Sequence, residues 1–241
     1  MQSPHSESLS IIADKALDAF NAKHDAREQG LKISREVIRL SANAIRAVHR
    51  GEFEVAQDLI EKAGTSLQQT DTILKRLPEI YHSGYLADAR KEFSEANITL
   101  AVITGRTLPQ PEDLDTDVTA YLKGLGDAAG EMRRFILDSL RKDDWDRCEE
   151  IMEVMDELYG LLVTMDFPEG VTGGLRRTTD MVRGTLERTR GDFTMAMRQR
   201  KLEKRLTCWE NTLAKKNAAP SVDQGDSPIA FTNTVRKENR S

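Results

Sequence analysis

Apolar residues return every three or four positions from about residue 8 to about 212, the period of helices with one buried face. Few residues interrupt that rhythm. A first long helix is predicted from about Glu7 to His49, stopped by Arg50-Gly51. A second runs from about Glu52 to Leu77, where Pro78 breaks the backbone ladder. A third spans roughly Tyr81 to Thr104, and Gly105 then opens the loop GRTLPQPED with Pro109 and Pro111. The fourth covers about Leu114 to Arg141. Asp143 and Asp144 can cap the fifth, which ends near Met165 before Asp-Phe-Pro-Glu-Gly. The last starts near Gly173 and continues past Arg205. Connectors this short pack neighbours antiparallel, so an all-α antiparallel bundle of about six helices is expected.

After about Lys216 the composition changes to AAPSVDQGDSPIAFTNTVRKENRS, with Pro, Gly, Ser and Asn and no periodicity. The expected organisation is one helical domain over 1–212 and a disordered tail over 213–241. Two segments, RGEFEVAQDLIEKA and KDDWDRCEEIMEVM, are faintly alike but recur only once, at no solenoid period. Charged residues make up 31% of the chain and aromatics only 5%, which argues against a sandwich or a barrel. The longest charge-free run before the tail, Ala96 to Gly105, has ten residues and cannot span a bilayer. The start MQSPHSESLS has neither the basic opening nor the apolar run of an export signal. Cys148 and Cys208 form neither a disulfide framework nor a zinc site. A cytoplasmic protein with no membrane partner is expected.

The net charge is −5, yet the basic residues are not spread evenly. In the first helix Arg35, Arg39, Arg46 and Arg50 project within an arc of about 60°, with Lys32 at its edge. Ile33, Val37, Leu40, Ala44 and Val48 lie on the opposite side. Such a stripe on an acidic protein suits a phosphate track. It equally suits a solvated face paired with acids of a neighbouring helix. The stretch Arg176–Arg205 holds ten basic and four acidic residues, a net of +6, leaving −11 elsewhere. Its alternating Arg176, Asp180, Arg183, Glu187 and Arg190 form a ladder that supports its own helix.

Two pairs of carboxylates carry candidate chemistry. Glu92 and Glu95 share a face of the third helix, just before the all-round apolar ANITLAVITG. Acids at the edge of a buried segment are costly unless paired or metal-bound. Asp127 and Glu131 share a face of the fourth helix, opposite Leu114, Val118, Leu125, Met132 and Ile136. By spacing alone that is the pattern of an ordinary exposed face. Its setting is unusual, because KGLGDAAGE puts Gly124, Gly126 and Gly130 inside a helix at roughly 1 kcal/mol each. Small residues there imply close approach by another backbone or a ligand. If the pairs converge, four carboxylates make a hard oxygen site for Mg²⁺ or Mn²⁺, able to activate water against a phosphodiester.

Other chemistries are excluded. Only Glu79 and His82 fit a Glu-x-x-His spacing, where a di-iron bundle needs two. His5, His24 and His49 have no partner spacing for a metal and are read as surface residues. No phosphate-binding P-loop, GxSxG elbow or zincin motif occurs. Tyr121, Trp145 and Tyr159 sit at helical spacings as core residues rather than base-stacking ones.

REVIRLSANAIRAVHRGEFEVA, AYLKGLGDAAGEMRRFILDSLRKDDWDRCEEIMEVMDELY, the turn MDFPEG and GLRRTTDMVRGTLERTRGDFT together resemble the translin family. That family comprises translin and translin-associated factor X. The resemblance covers most of residues 30–205, and its style is similar to the single-gene archaeal members. It implies a translin-like bundle of seven helices, so six to seven are expected, assembled into a hollow octamer that binds RNA or single-stranded DNA inside. It also implies the Mg²⁺-dependent endoribonuclease that translin-associated factor X supplies. The catalytic pattern of that partner is a Glu-x-x-Glu, met here by Glu92 and Glu95, and an Asp-x-x-x-Glu, met by Asp127 and Glu131. On this resemblance all four are catalytic and metal-binding residues. Lys32, Arg35, Arg39, Arg46 and Arg50 become part of the nucleic-acid-facing wall. Ala120 stands where the family usually has Asp before Tyr-Leu, which touches local loop hydrogen bonding rather than the metal ligands. One chain carries both the stripe and the full acidic set, so a homo-octamer is expected, with Leu202, Leu206 and Trp209 at a subunit contact. The alternative is a nucleic-acid-binding shell without catalysis, like translin itself, which needs no acid correctly placed.

Overall fold

The computed structural model describes residues 4–74 and 77–218. Its elements are α1 (Pro4–His49), α2 (Phe53–Leu74), α3 (Pro78–Tyr81), α4 (Gly84–Thr104), α5 (Val118–Arg141), α6 (Cys148–Val163), α7 (Glu169–Thr172) and α8 (Leu175–Ala218). Six are long and two are single turns, and no strand occurs among the described residues. The expected all-α bundle is what forms. The described residues divide into two units, with the boundary between Ala196 and Met197. In the second, α8 continues to Ala218 with Leu202, Leu206, Trp209 and Leu213 exposed. Most of the expected tail lies outside the described residues.

The first unit is built around α4. Ile98 and Val102 face a core shared with α5, α6 and α8, where Leu125, Met132, Ile151, Met155 and Val182 are buried. Ala96, Leu100 and Ile103 face a second core made with α1 and α2, around Val37, Ala44, Val48, Ile60 and Ala63. One helix between two cores needs apolar residues all round, which is why ANITLAVITG has no polar face. No helix among the described residues is long and apolar enough to cross a membrane.

Helix ends show where local chemistry departs from the periodic pattern. Pro78 opens the single turn α3 instead of closing α2, which is described as far as Leu74; Lys75 and Arg76 lie outside the described residues. The fourth expected helix starts at Val118 rather than Leu114, because Asp117 caps it by accepting from the Ala120 backbone N–H at 3.0 Å. Asp143 and Asp144 do not cap α6. Asp143 adopts φ 57° in the turn that ends α5, and α6 begins at Cys148 without a side-chain cap. Gly173 and Gly174 at positive φ delay α8 to Leu175. Tyr121 is buried and its hydroxyl donates to the Pro109 carbonyl at 2.6 Å, pinning the loop before α5.

Candidate functional site

The acids are gathered where α4 and α5 pack backbone to backbone. A β-carbon on Gly124 would lie 2.5 Å from the Lys91 carbonyl oxygen and 3.0 Å from the Glu95 nitrogen. Side chains one helical turn from that contact therefore share a space. One oxygen from each of Glu92, Glu95 and Asp127 lies within 4.8 Å of the others. Gly126 makes room for a different neighbour, since its β-carbon would fall 2.2 Å from Thr178 Cγ2 of α8. Gly130 faces open space. Close approach thus explains Gly124 and Gly126 but not Gly130.

Charge in this cluster is compensated locally. Lys91 Nζ donates to Asp127 Oδ2 at 2.7 Å and lies 3.2 Å from Glu92 Oε1. Burial alone would lower the Lys91 pKa, but the Asp127 hydrogen bond and the charges of Asp127 and Glu92 raise it. Glu95 is buried, and that burial, with the nearby charges of Glu92, Asp127 and Glu131, pushes its carboxyl up to about 8. At neutral pH the proton kept by Glu95 and the Lys91 ammonium therefore offset two of the three clustered carboxyl charges.

Glu131 stands one turn beyond Asp127, outside the group of three. It is held by His49 of α1, whose Nε2 lies 2.5 Å from Glu131 Oε2. That bond, outweighing burial and aided by Arg134 at 3.5 Å, lowers the Glu131 pKa. An ionised carboxylate only accepts, so His49 Nε2 carries the proton of this bond. The His49 side chain is only 5% exposed, which corrects its reading as a surface residue. It lies about 40° around the helix from Ile45, a buried residue one turn earlier, and that proximity was the signal for its burial. His5 and His24 are exposed as expected. Lys91 was missed altogether, although it falls one turn before Glu95 on the same helix.

Lys32, Arg35, Arg39, Arg46 and Arg50 are all exposed. Arg39 lies 3.8 Å from Glu36, Arg46 donates to Asn43 at 2.7 Å, and Arg50 pairs with Glu52 at 2.6 Å. These partners belong to the same helix or the turn after it, not to a packed neighbour. Among the described residues Lys32 and Arg35 have no acidic partner. Arg46 and His49 are three residues apart, so the stripe runs toward the His49–Glu131 contact.

The residues present fit a divalent cation. Glu92, Glu95 and Asp127 offer only hard oxygen donors, and the Lys91 ammonium on two of them marks a place that already attracts positive charge.

No family model matches the chain. Over 186 residues it is 31% identical to the uncharacterized protein MJ0175 of Methanocaldococcus jannaschii, covering 76% of this chain and 82% of that one. The crystal structure of AfC3PO superposes with a TM-score of 0.73 at 33% identity, covering 78% of this chain and 98% of that chain. A complex of AfC3PO with duplex RNA gives 0.72 at 32% identity, covering 78% and 97%. Apo-NeC3PO, at 21% identity and TM-score 0.66, covers 81% and 99% and shares the fold.

Proposed function

The chain belongs to the translin family, and from that premise we propose that it binds RNA and cleaves it as a metal-dependent endoribonuclease. One observation carries the catalytic part: three carboxylate oxygens from Glu92, Glu95 and Asp127 within 4.8 Å, on two helices locked together at a glycine. These residues would hold Mg²⁺ or Mn²⁺. A bound cation of this kind supplies a more acidic water and stabilises charge on a phosphodiester. The chain's own groups do the rest. Glu131 would accept a proton at its other oxygen, Oε1, while His49 holds Oε2, orients the carboxylate and keeps it ionised. Lys32, Arg35, Arg39, Arg46 and Arg50 form an exposed track for the phosphate backbone, leading toward the acids. Duplex RNA in the AfC3PO complex supports RNA as the ligand. Single-stranded DNA presents the same phosphates, although few aromatics are available for base stacking.

Labelled RNA incubated with the purified protein tests the reading. Cleavage should require Mg²⁺ or Mn²⁺, stop with chelator, and fall by about a thousandfold in Asp127→Ala. Chelator-resistant cleavage, or an active Asp127→Ala protein, would overturn it. The second reading, a binding shell without catalysis, draws on the Lys91 contacts, since a salt-bridged cluster is also a stable structural arrangement. RNA bound but intact in Mg²⁺ would favour it.

Assembly completes the proposal. A homo-octamer enclosing the stripes would let a protein of net charge −5 hold RNA, with acids on the outer surface. Exposed Leu202, Leu206 and Trp209 on α8 supply an apolar contact suited to such an assembly, and exposed Leu9, Ile12 and Phe20 on α1 supply another. Light scattering coupled to size exclusion decides it, since a mass near 27.1 kDa would refute the octamer.

A further inference from the structure

The carboxylate cluster already has a cation beside it, and its own chain supplies it. Lys91 Nζ contacts Asp127 Oδ2 at 2.7 Å and Glu92 Oε1 at 3.2 Å, and the three side chains are 25–27% exposed. An ammonium is a compact point charge with three donors on a flexible stem. It can quiet two carboxylates that would otherwise repel each other and the neighbouring Glu95. Gly124 pins the Lys91 backbone to α5, so the stem starts from a fixed point at the rim of the cluster.

We infer that Lys91 is the resident counter-ion of the Glu92–Glu95–Asp127 cluster: it keeps the carboxylates together when no metal is bound and is displaced when a divalent cation enters. The inference rests on the metal-centre reading above and assigns that centre a positioning residue. The oxygens Lys91 touches belong to two of the three groups that would grip the ion. Two cations at hydrogen-bonding range of the same oxygens repel strongly, while the partial exposure of Lys91 leaves its ammonium a path outward. Cation affinity at this site is then a difference, the hold of the carboxylates on the metal less their hold on Lys91. The ammonium released by loading becomes an unpaired positive charge beside the centre, where a phosphate can take it up.

Mn²⁺ titration calorimetry on the full chain, with thermal melting in chelator and in saturating Mn²⁺, tests this. Lys91→Met keeps the stem and removes the charge; Lys91→Gln keeps a donor and guards against a packing defect in the first variant. Both should bind Mn²⁺ about five- to tenfold tighter than the parent protein. In chelator both should melt below it, and in Mn²⁺ that gap should close or reverse. A merely structural lysine would lower the melting temperature equally in both conditions and leave Mn²⁺ affinity unchanged, which would overturn the inference. If Asp127→Asn abolishes Mn²⁺ binding while Lys91→Met leaves it unaltered, the counter-ion role fails and the metal centre stands. If neither the parent nor the Lys91 variants bind Mn²⁺, the centre itself fails and the inference with it.

Discussion

The carboxylate cluster and the arginine stripe adjoin at the end of α1, yet they carry charge in opposite ways. The acids are buried or half-buried at a crossing of two helices, and each is answered in place: Asp127 and Glu92 by Lys91, Glu95 by a retained proton, Glu131 by His49. The stripe is exposed and answered, where at all, by its own helix or the next turn. A charge removed from water needs its compensation in a fixed place, whereas water itself compensates an exposed one. Single changes in the cluster should therefore be severe and specific, and single changes in the stripe mild and additive.

The sharpest break between the two regions is Asp127→Ala. On the proposed reading, cleavage should fall by about a thousandfold, the upper range for losing one electrostatic stabiliser, while RNA affinity stays within a few-fold. Filter binding beside the cleavage assay separates the two quantities. Equal losses of binding and cleavage would mean that the two regions do not divide the labour.

Geometry at the crossing is the next lever. A β-carbon at Gly124 would meet backbone at 2.5 Å, which cannot swing aside, so Gly124→Ala must push α4 and α5 apart. We expect a loss of about 1–3 kcal/mol in denaturant unfolding and weaker Mn²⁺ binding. Gly130→Ala, exposed and with nothing within 4 Å, should instead gain up to about 1 kcal/mol. His49→Ala leaves Glu131 without its orienting partner and should slow cleavage by about 10–100-fold, the usual cost of losing such a support, with little change in RNA affinity.

The cluster was only partly legible in the sequence. Helical periodicity located the six long helices, and the all-round apolar ANITLAVITG anticipated a helix between two cores. Glu92, Glu95 and Asp127 could be named, and the glycines hinted at a crossing, because local sequence records spacing and steric room. Partnership across helices is not recorded there. Nothing in Ala-Val-His-Arg says that His49 reaches a residue 82 positions away, and nothing in Arg-Lys-Glu says that Lys91 turns toward α5. Helix starts were missed for a related reason: Asp143 resembles a cap in composition, but its positive φ serves the preceding turn.

Proton linkage gives a smaller and signed effect. The unfolded chain releases the Glu95 proton near 4.5 and the folded metal-free protein near 8. Between those values the folded state binds more protons, so the Glu95 contribution to stability falls as pH rises from about 4.5 to about 8. A metal that needs the ionised carboxylate must expel that proton. Mn²⁺ affinity should therefore climb by about tenfold per pH unit up to about pH 8 and then level off. Titrations at pH 6.5, 7.5 and 8.5 measure the slope, and Glu95→Gln should flatten it. A flat profile in the parent protein would remove Glu95 from the ligand set.

The smallest single effects belong to the stripe, and their smallness is what makes them diagnostic. An exposed arginine on a phosphate gains by releasing a condensed counterion, so each contact adds a similar increment that depends on salt. Arg35→Ala, which breaks no ion pair among the described residues, should weaken RNA binding a few-fold and reduce the slope of log affinity against log salt by about 0.7 for a single strand. Arg39→Ala and Arg46→Ala should do the same, and the triple variant should show the sum. Arg50 is the informative exception, because its guanidinium is already bidentate on Glu52 at 2.9 and 2.6 Å and must leave that carboxylate to serve a phosphate. Arg50→Ala should therefore cost less than Arg35→Ala, while Glu52→Gln should tighten RNA binding. If Arg35→Ala leaves the salt slope unchanged, the stripe is a solvated face and the polyanion track must be sought elsewhere, along the basic segment of α8.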